Sequence, residues 1–381
     1  MNQMDRYLEE ALELAARGLG RTSPNPAVGA VVVREGEVVG RGFHTYRGVK
    51  HAEVLALEEA GQRAEGATLY VTLEPCSHQG RTPPCIDAIL AARIRKVVAP
   101  IEDPNPEVRG RGFARLRDAG VGVEVDSAAA QRAGELNEPF IHFMSTGRPL
   151  VTLKAALTLD GKIGAPEDDL APGQPPQWIT SEKARAHVQT LRHRSDAILT
   201  GIGTVLADDC RLTDRTGEER SRPLLRVILD SQLRLPLESR LAASCRGDVL
   251  VVTTSAASEE RRKRLEAMGV RVEVRERRDG RVSLPGVLEL LARDRYLSLM
   301  IEAGSKVNWS VLESGCADKI FFYYAPKILG GMQSLPMAGG IGRRRRADAI
   351  VLRDLELHSI SKDEFAVEAY VVKELDVYGD C

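Results

Sequence analysis

The segment Pro75-Cys76-Ser77-His78-Gln79-Gly80-Arg81-Thr82-Pro83-Pro84-Cys85, read together with His51-Ala52-Glu53, decides what the first half of the chain must build. One histidine and two cysteines are ligands that hold zinc tetrahedrally, and three protein ligands leave a fourth position for water. A glutamate two residues after the histidine is placed to transfer protons rather than to bind the metal. The pattern therefore predicts a catalytic zinc site with ligands His51, Cys76 and Cys85 and with Glu53 as the catalytic acid and base.

Two other interpretations use the same residues. A buried histidine beside two ordinary core cysteines needs no metal, because free cysteine behaves as a small hydrophobic residue. A structural zinc site would need a fourth protein ligand, which His78 could supply. The joint pattern, in this order and at short separation, favours the zinc-dependent deaminases, which remove an exocyclic amine from a nucleobase-like ring.

Hydrophobic periodicity predicts strands that alternate with helices around this site, and hence a mostly parallel three-layer α/β sandwich. Asp5 is a candidate N-cap, and Glu35-Gly36 is a candidate hairpin turn. The predicted elements are a helix from Asp5 toward Gly18, strands 28–33 and 38–39, helix 52–60, strand 68–73, helix 85–93, strand 96–100, helix 111–119, strand 121–125 and a helix over 128–136.

A break in regular structure is predicted at Asn137-Glu138-Pro139 and from Met144 to Pro149, which places a domain boundary near residue 146. We therefore expect domains 1–146 and 147–381. The second half continues with strand 151–157, an exposed loop over 165–177, helix 182–194 capped by Ser181, and strands 197–200, 226–229, 249–253, 270–274 and 298–301.

Glycines at two strand ends suggest phosphate binding in the second half. Gly201 and Gly203 follow a buried strand, but Leu206 stands where a dinucleotide-binding fingerprint requires a third glycine, so a Rossmann site is not predicted. The small residues in Glu302-Ala303-Gly304-Ser305 can bring backbone amides close to a phosphate at a helix start. A plain strand-to-helix turn is the alternative.

Several motifs give a family resemblance. Eight residues separate Cys76 from Cys85, and this spacing, with Ser23–Gly29 and Gly42–His44, resembles the deaminase half of the bifunctional riboflavin-biosynthesis deaminase/reductases. The second half of the chain resembles the reductase half of the same family in five segments: 160–162, 178–181, 204–209, 229–231 and 302–304.

The resemblance implies a cytidine-deaminase-like three-layer α/β/α domain followed by a dihydrofolate-reductase-like α/β domain. It implies Zn²⁺ and NADPH as cofactors, and as substrate a small phosphorylated pyrimidine, a diaminopyrimidinone ribosylamine phosphate that is first deaminated and then reduced at its ribosyl group. It implies NADPH contacts from Leu157, Trp178, Thr204, Asp208, Ser231, Gly304, Ser305, Lys306, Val307, Asn308, Trp309 and Ser310. It implies substrate contacts from Asn25, His44, Pro176, Arg192, Leu212, Arg215 and Glu302. Arg192 and Arg215 are the candidate phosphate partners, because a guanidinium group can bind phosphate through two hydrogen bonds.

Four further residues have both a functional and a structural interpretation. Arg81 and His78 are candidates for substrate contact, or belong to a solvated loop. Lys154 is the candidate to polarise the ring-opened sugar imine, although strand lysines usually extend their amines toward solvent. Asp160 is a candidate site residue or a turn former.

Two departures from the family pattern affect the reductase half. Cys210 stands where proline is common, and the proline-rich loop 165–177 is unusual, which bears on the Pro176 contact.

The amino-acid composition argues against some classes of function and location. The 381 residues include 53 basic and 54 acidic side chains, so the charge balance gives no general attraction to nucleic acid or membranes. Six cysteines in a chain of this length, and no apolar run of membrane-spanning length or signal segment, predict a cytoplasmic enzyme. The arginines at 343–346 are interpreted as a solvated loop. Only the resemblance, and no residue pattern, points to association between subunits.

Two alternative functions make distinct predictions. A nucleic-acid base deaminase needs basic surfaces interleaved with aromatic residues, and aromatics make up only 4% of this chain. A non-catalytic zinc-binding scaffold would have no need of Glu53. Both alternatives leave the second half without a role.

Overall fold

A computed structural model describes residues 6–80, 82–106, 108–166, 178–277 and 279–373. The chain forms two compact units, one comprising Met1–Arg148 with Glu219–Arg222 and the other comprising Pro149–Glu218 with Pro223–Cys381. Within the described ranges, no helix combines the length and the apolar character needed to cross a membrane.

The first unit is a three-layer α/β/α sandwich around a five-stranded sheet. In chain order its elements are α1 (Arg6–Ala16), β1 (Gly29–Arg34), β2 (Glu37–Phe43), α2 (Ala52–Ala60), β3 (Thr68–Val71), α3 (Cys85–Ala91), β4 (Lys96–Ala99), α4 (Arg111–Asp118), β5 (Gly122–Val125), α5 (Ala130–Leu136) and α6 (Glu138–Thr146). The strand order is β2-β1-β3-β4-β5. Helices α2, α3 and α4 pack on one face of the sheet, and α1 and α5 pack on the other.

The predicted helices and strands of this unit are confirmed, although β2 extends to Phe43, well beyond the predicted 38–39. The candidate N-cap Asp5 lies outside the described residues. Two expectations were wrong. The sheet is mixed, because β1 runs antiparallel to both β2 and β3 while β3, β4 and β5 are parallel. The tight turn at Glu35 and Gly36, both with positive φ, reverses the chain directly. The expected break after Asn137 is instead the start of α6, since Pro139 lies in its first turn, where a missing N–H costs nothing.

The second unit is built on a nine-stranded sheet. Its elements are β6 (Leu150–Thr158), β7 (Lys162–Gly164), α7 (Glu182–Arg194), β8 (Ala197–Gly201), α8 (Ile202–Asp208), β9 (Leu225–Leu229), α9 (Arg240–Ala243), β10 (Val249–Thr253), α10 (Glu259–Ala267), β11 (Arg271–Val274), α11 (Leu284–Arg293), β12 (Ser298–Ile301), α12 (Ser305–Glu313), β13 (Lys319–Ala325), β14 (Leu335–Pro336), β15 (Leu352–Ser359) and β16 (Phe365–Val371). The strand order is β11-β10-β9-β8-β12-β6-β13-β16-β15. The strands from β11 to β13 are parallel, and β16 and β15 continue the sheet antiparallel.

The predicted strands and the helix capped by Ser181 are confirmed in this unit. The Ser181 hydroxyl accepts a hydrogen bond from the Ala184 amide, and α7 spans Glu182–Arg194 as expected. Residues 167–177 of the expected loop lie outside the described residues, and Pro176 with them.

Candidate active sites

Close packing of α2 on β2 sets the position of His51 and Glu53. A side chain at Gly40 or Gly42 would place a Cβ atom 2.1 Å from the carbonyl of Ala56 or 2.2 Å from that of Ala52, so only glycine fits at these two strand positions. The helix therefore lies directly on the sheet. His51 is its N-cap, and Glu53 lies in its first turn, where exposed amides and a partial positive charge favour an anion.

The three predicted zinc ligands converge. His51 Nδ1 lies 3.0 Å from Cys85 Sγ and 3.6 Å from Cys76 Sγ, and the two sulfur atoms are 3.4 Å apart. Tetrahedral coordination with ordinary zinc bond lengths requires donor separations of about 3.5–3.8 Å, so this donor set fits zinc after small adjustments. Among the described residues this cluster contains only His51, Cys76 and Cys85, so His78 does not supply the fourth ligand that a structural zinc site would need.

Glu53 is buried beside the cluster, with only 4% of its surface exposed. Burial, and then the negative charge of Cys76, raise the pKa of its carboxyl group above the usual value, while His51 opposes that change. A carboxyl group with a raised pKa is suited to hold a proton during a reaction near neutral pH.

The predicted substrate residues Asn25 and His44 meet beside the cluster. His44 Nδ1 lies 3.0 Å from the Lys50 carbonyl oxygen, so this nitrogen carries the proton and donates it. His44 Nε2 is therefore the acceptor for the Asn25 amide, 3.0 Å away. The His44 ring meets the His51 ring edge to face, with centroids 5.2 Å apart. Because the Asn25 amide nitrogen is used in this bond, its carbonyl oxygen is the group left to accept a hydrogen bond. The other candidate for substrate contact, Arg81, lies outside the described residues.

Sequence reasoning missed Asn137, which supports the Asn25 segment. Its side chain is buried, accepts a hydrogen bond from the Ala27 amide at 2.7 Å and donates one to the Ala27 carbonyl at 3.0 Å. Ala27 lies 110 positions away in the sequence, so no local pattern could reveal the pairing.

In the second unit, the residues expected to contact NADPH, apart from Trp178, lie near or after the ends of four adjacent parallel strands. Strands β9, β8, β12 and β6 are neighbours in the sheet, and their carboxyl ends lie at one edge, where ligands bind in α/β folds. Leu157 lies near the end of β6, and Ser231 follows β9. Thr204 and Asp208 lie on α8 after β8, and residues 304–310 follow β12.

The start of α12 fits a phosphate group. No side chain caps its first turn, and within the described ranges the buried Ser305 hydroxyl at the first helical position has no hydrogen-bond partner. Amides of an uncapped helix start bind anions. Gly201 lies close to the first turn of α12, because a Cβ at position 201 would be 2.8 Å from the Val307 side chain. Thr204 is also adjacent, with its hydroxyl 3.8 Å from the position of a Cβ on Gly304.

Trp178 and Asp160 lie on the surface of this unit. Trp178 is 58% exposed, with the Arg185 guanidinium over its ring and the Lys327 amine bound to its carbonyl oxygen. Asp160 accepts hydrogen bonds from the Thr158 hydroxyl and from the Leu329 and Gly330 amides. The bond from Thr158, and then those from the two amides, lower the pKa of its carboxyl group to about 2. The contacts of Asp160 are those of a turn former.

A part-buried ion cluster joins Glu302, Arg192 and Lys154. The guanidinium donates from Nε and Nη2 to the two carboxylate oxygens at 2.7 and 3.1 Å, and the amine lies 3.2 Å from Oε2. Burial opposes ionisation of Glu302, but the two cations outweigh it and bring its pKa to about 2. Lys154 therefore does not extend to solvent. Its amine also lies 5.8 Å from the centre of the Tyr323 ring, a neighbour that sequence reasoning missed.

The predicted substrate arginines have different surroundings. Arg192 holds Glu302 and donates to the Thr213 carbonyl at 3.0 Å, whereas Arg215 is exposed and its side chain has no partner among the described residues. Hydrogen bonds tie the intervening segment to α7, with the Arg215 amide donating to Gln189 at 3.0 Å. The Leu212 side chain is buried, so it points into the interior of this unit. Its backbone has a positive φ.

Cys210 is half-buried on the same segment. Burial raises the pKa of its thiol to about 11, so the side chain is neutral near neutral pH.

These two sites define two enzyme classes: a zinc-dependent deaminase in the first unit and a nucleotide-dependent reductase in the second. Residues 1–100 match the profile of the cytidine and deoxycytidylate deaminase zinc-binding region, and residues 149–364 match that of the RibD C-terminal domain. The chain therefore belongs to the family of bifunctional riboflavin-biosynthesis deaminase/reductases.

Relatives match nearly the whole chain. The riboflavin biosynthesis protein RibD of Bacillus amyloliquefaciens is 41% identical over 94% of each chain, and that of Escherichia coli K12 is 40% identical over 95% of this chain and 98% of the relative. The structure of Acinetobacter baumannii RibD superposes with a TM-score of 0.84 at 37% identity, covering 96% of this chain and 98% of that one. A Thermotoga maritima deaminase/reductase gives 0.80 at 36% identity, with the same coverage. The predicted fold class is confirmed.

Proposed function

We propose that this chain catalyses two consecutive steps of riboflavin biosynthesis on a diaminopyrimidinone ribosylamine phosphate, deamination of the ring and then reduction of the ribosyl group to ribityl. The observation that carries the proposal is the convergence of His51, Cys76 and Cys85 beside buried Glu53, in a chain that also contains the reductase fold. We assign deamination to residues 1–146 and reduction to residues 147–381.

In the deaminase, His51, Cys76 and Cys85 would hold Zn²⁺, which supplies a Lewis acid that lowers the pKa of water. Glu53 takes a proton from the attacking water and delivers it to the departing amine, so that the ring carbon gains oxygen and ammonia leaves. Asn25 orients the ring through its carbonyl oxygen, and His44 fixes the Asn25 amide by accepting its N–H.

In the reductase, the amides at the start of α12, with Thr204, Asp208 and Ser231, would hold NADPH, which supplies hydride. Lys154 donates a hydrogen bond that polarises the imine formed when the ribosyl ring opens, and the imine nitrogen gains a proton as its carbon gains hydride. Glu302 fixes the Lys154 amine, and Arg215 binds the substrate phosphate, since its exposed guanidinium can make two parallel hydrogen bonds.

Removal of zinc tests the division between the halves. Treatment with a chelator is expected to abolish deamination and to leave reduction of separately supplied deaminated substrate unchanged, because the three zinc ligands all lie in the first unit. Adding Zn²⁺ back should restore deamination, whereas Mg²⁺ should not, since thiolate and imidazole ligands select zinc over magnesium. Deamination that persists at full rate after zinc is shown to be absent would refute the assignment.

Replacement of Arg215 tests the phosphate contact. Arg215→Gln is expected to raise KM for the deaminated phosphorylated substrate by roughly 10–100-fold with little change in kcat, because a charged hydrogen bond contributes about 1.5–3 kcal/mol. Steady-state kinetics of the reduction measure this effect, with Arg264→Gln on an exposed position of α10 as the matched control. An unchanged KM in Arg215→Gln would exclude this residue as the phosphate ligand.

We propose a cytoplasmic location and a small phosphorylated pyrimidine as the partner, without nucleic acid or membrane. In support, Cys76, Cys85, Cys210, Cys245 and Cys316 form no disulfide with one another, as expected in a reducing compartment. Association between subunits rests on the family resemblance alone.

A further inference from the structure

Glu74 is a buried carboxylate directly before the zinc-ligand loop Pro75-Cys76. It is 3% exposed, and its own amide donates to the Ile101 carbonyl at 3.1 Å. A buried carboxylate is unfavourable unless hydrogen bonds satisfy its oxygens. The hydrogen-bond donors around the Glu74 carboxylate therefore indicate its structural role.

Four backbone amides donate to the Glu74 carboxylate. Oε2 accepts from Asp103 at 3.0 Å and from Gly110 at 2.9 Å, and Oε1 accepts from Gly112 at 2.7 Å and from Phe113 at 3.1 Å. The last three residues form the start of α4, whose own N-cap residue, Gly110, makes no side-chain cap. Glu74 thus caps α4 from a distant position in the sequence and ties Asp103 and the start of α4 to the zinc loop.

The same contacts bring the α4 backbone against Pro75. A Cβ on Gly112 would lie 2.2 Å from the Pro75 carbonyl oxygen and 2.9 Å from Glu74 Oε1, so no side chain fits between the two segments. On its other side, Cys76 is held by the Cys85 amide, 3.3 Å from its sulfur, and by the Ile86 amide, 3.4 Å from its carbonyl oxygen. The position of Cys76 is therefore set from both sides.

We propose that Glu74 is a positioning residue for deamination, which keeps Cys76 beside His51 and Cys85 by anchoring its loop to the start of α4. This inference rests on the proposed deaminase function. Groups that orient metal ligands typically change metal affinity by 10–100-fold when they are replaced. A cap that only stabilised the fold would change the melting temperature and leave zinc affinity and kcat as they are.

Replacement by glutamine keeps the shape of Glu74 but puts an amide donor against two of the four backbone N–H groups. Glu74→Gln in the full chain is expected to weaken zinc binding at least tenfold, measured by competition with a chromophoric chelator, and to lower kcat for deamination. Reduction of supplied deaminated substrate should be unchanged. Asp126→Asn is the matched control, because Asp126 also accepts from a backbone amide, that of Ala128, and its replacement should change neither quantity.

Wild-type zinc affinity and wild-type kcat in Glu74→Gln, whatever its melting temperature, would overturn the proposal. If that variant does not fold, Glu74→Asp supplies the test, since it keeps the charge but withdraws the oxygens from the α4 amides, and the same tenfold loss of zinc affinity is expected. Unchanged zinc affinity in Glu74→Asp would likewise overturn the proposal. Absence of deamination in the wild-type chain would instead refute the proposed function, so the two failures are distinguishable.

Discussion

Replacing Glu53 by glutamine is expected to lower kcat for deamination by about 10²–10⁴-fold, the usual contribution of a general acid and base, while zinc remains bound. Glutamine keeps the shape of the buried side chain but can neither accept the proton of the attacking water nor return it to the amine. The ligands His51, Cys76 and Cys85 are untouched, so the zinc content should equal that of the wild type.

The measurement pairs the rate of ammonia release with the metal content of the same protein sample. Glu58→Gln is the matched control, because Glu58 lies on the same helix but is exposed and pairs with Lys50. Reduction of supplied deaminated substrate should be equal in both variants and the wild type. Full deamination by a zinc-loaded Glu53→Gln protein would show that another group moves the protons.

Replacing Lys154 by methionine is expected to lower kcat for reduction by about 10²–10⁴-fold and to leave NADPH binding unchanged. Methionine fills most of the volume of the lysine without a charge or a donor, and Glu302 keeps its two hydrogen bonds to Arg192. The loss should therefore reflect the missing hydrogen bond to the imine rather than an unpaired, part-buried carboxylate.

Single-turnover reduction and NADPH titration separate the chemical step from cofactor binding. Lys319→Met is the matched control, since Lys319 lies on the neighbouring strand β13, is also 12% exposed at its side chain and also pairs with a glutamate, Glu368. Reduction at the wild-type rate in Lys154→Met would show that Lys154 has no role in the reaction. Equal losses in both variants would show that the effect comes from disturbance of the sheet and not from loss of a catalytic group.

Local sequence signals predicted the helices that begin at the candidate zinc ligands, because a helix start is encoded within a few residues. The helix that carries Glu53 begins one residue after His51, as the composition of 52–60 indicates, and Ser181 caps α7 as expected. Capping and periodicity act over a few residues, so a single segment contains the information. The antiparallel placement of β1 beside β3 was not visible, because the neighbour of a strand is chosen by the whole sheet.

The reductase contacts could be predicted only by resemblance. Arg192 and Glu302 are 110 positions apart, and their pairing requires that the last turn of α7 lie near the residue that follows β12. Nothing near Arg192 indicates that its guanidinium binds a carboxylate rather than a phosphate. The capping of α4 by Glu74 from 38 positions before Gly112 was invisible for the same reason, since a glutamate before a proline carries no local signal.

Product analysis by mass spectrometry tests the central claim most directly. Zinc-loaded protein is incubated with the diaminopyrimidinone ribosylamine phosphate, with and without NADPH. We predict that the sample without NADPH contains only the deaminated ribosyl compound and that the sample with NADPH contains the deaminated ribityl compound. Unreacted diaminopyrimidinone in both samples, or reduction without prior deamination, would contradict the account.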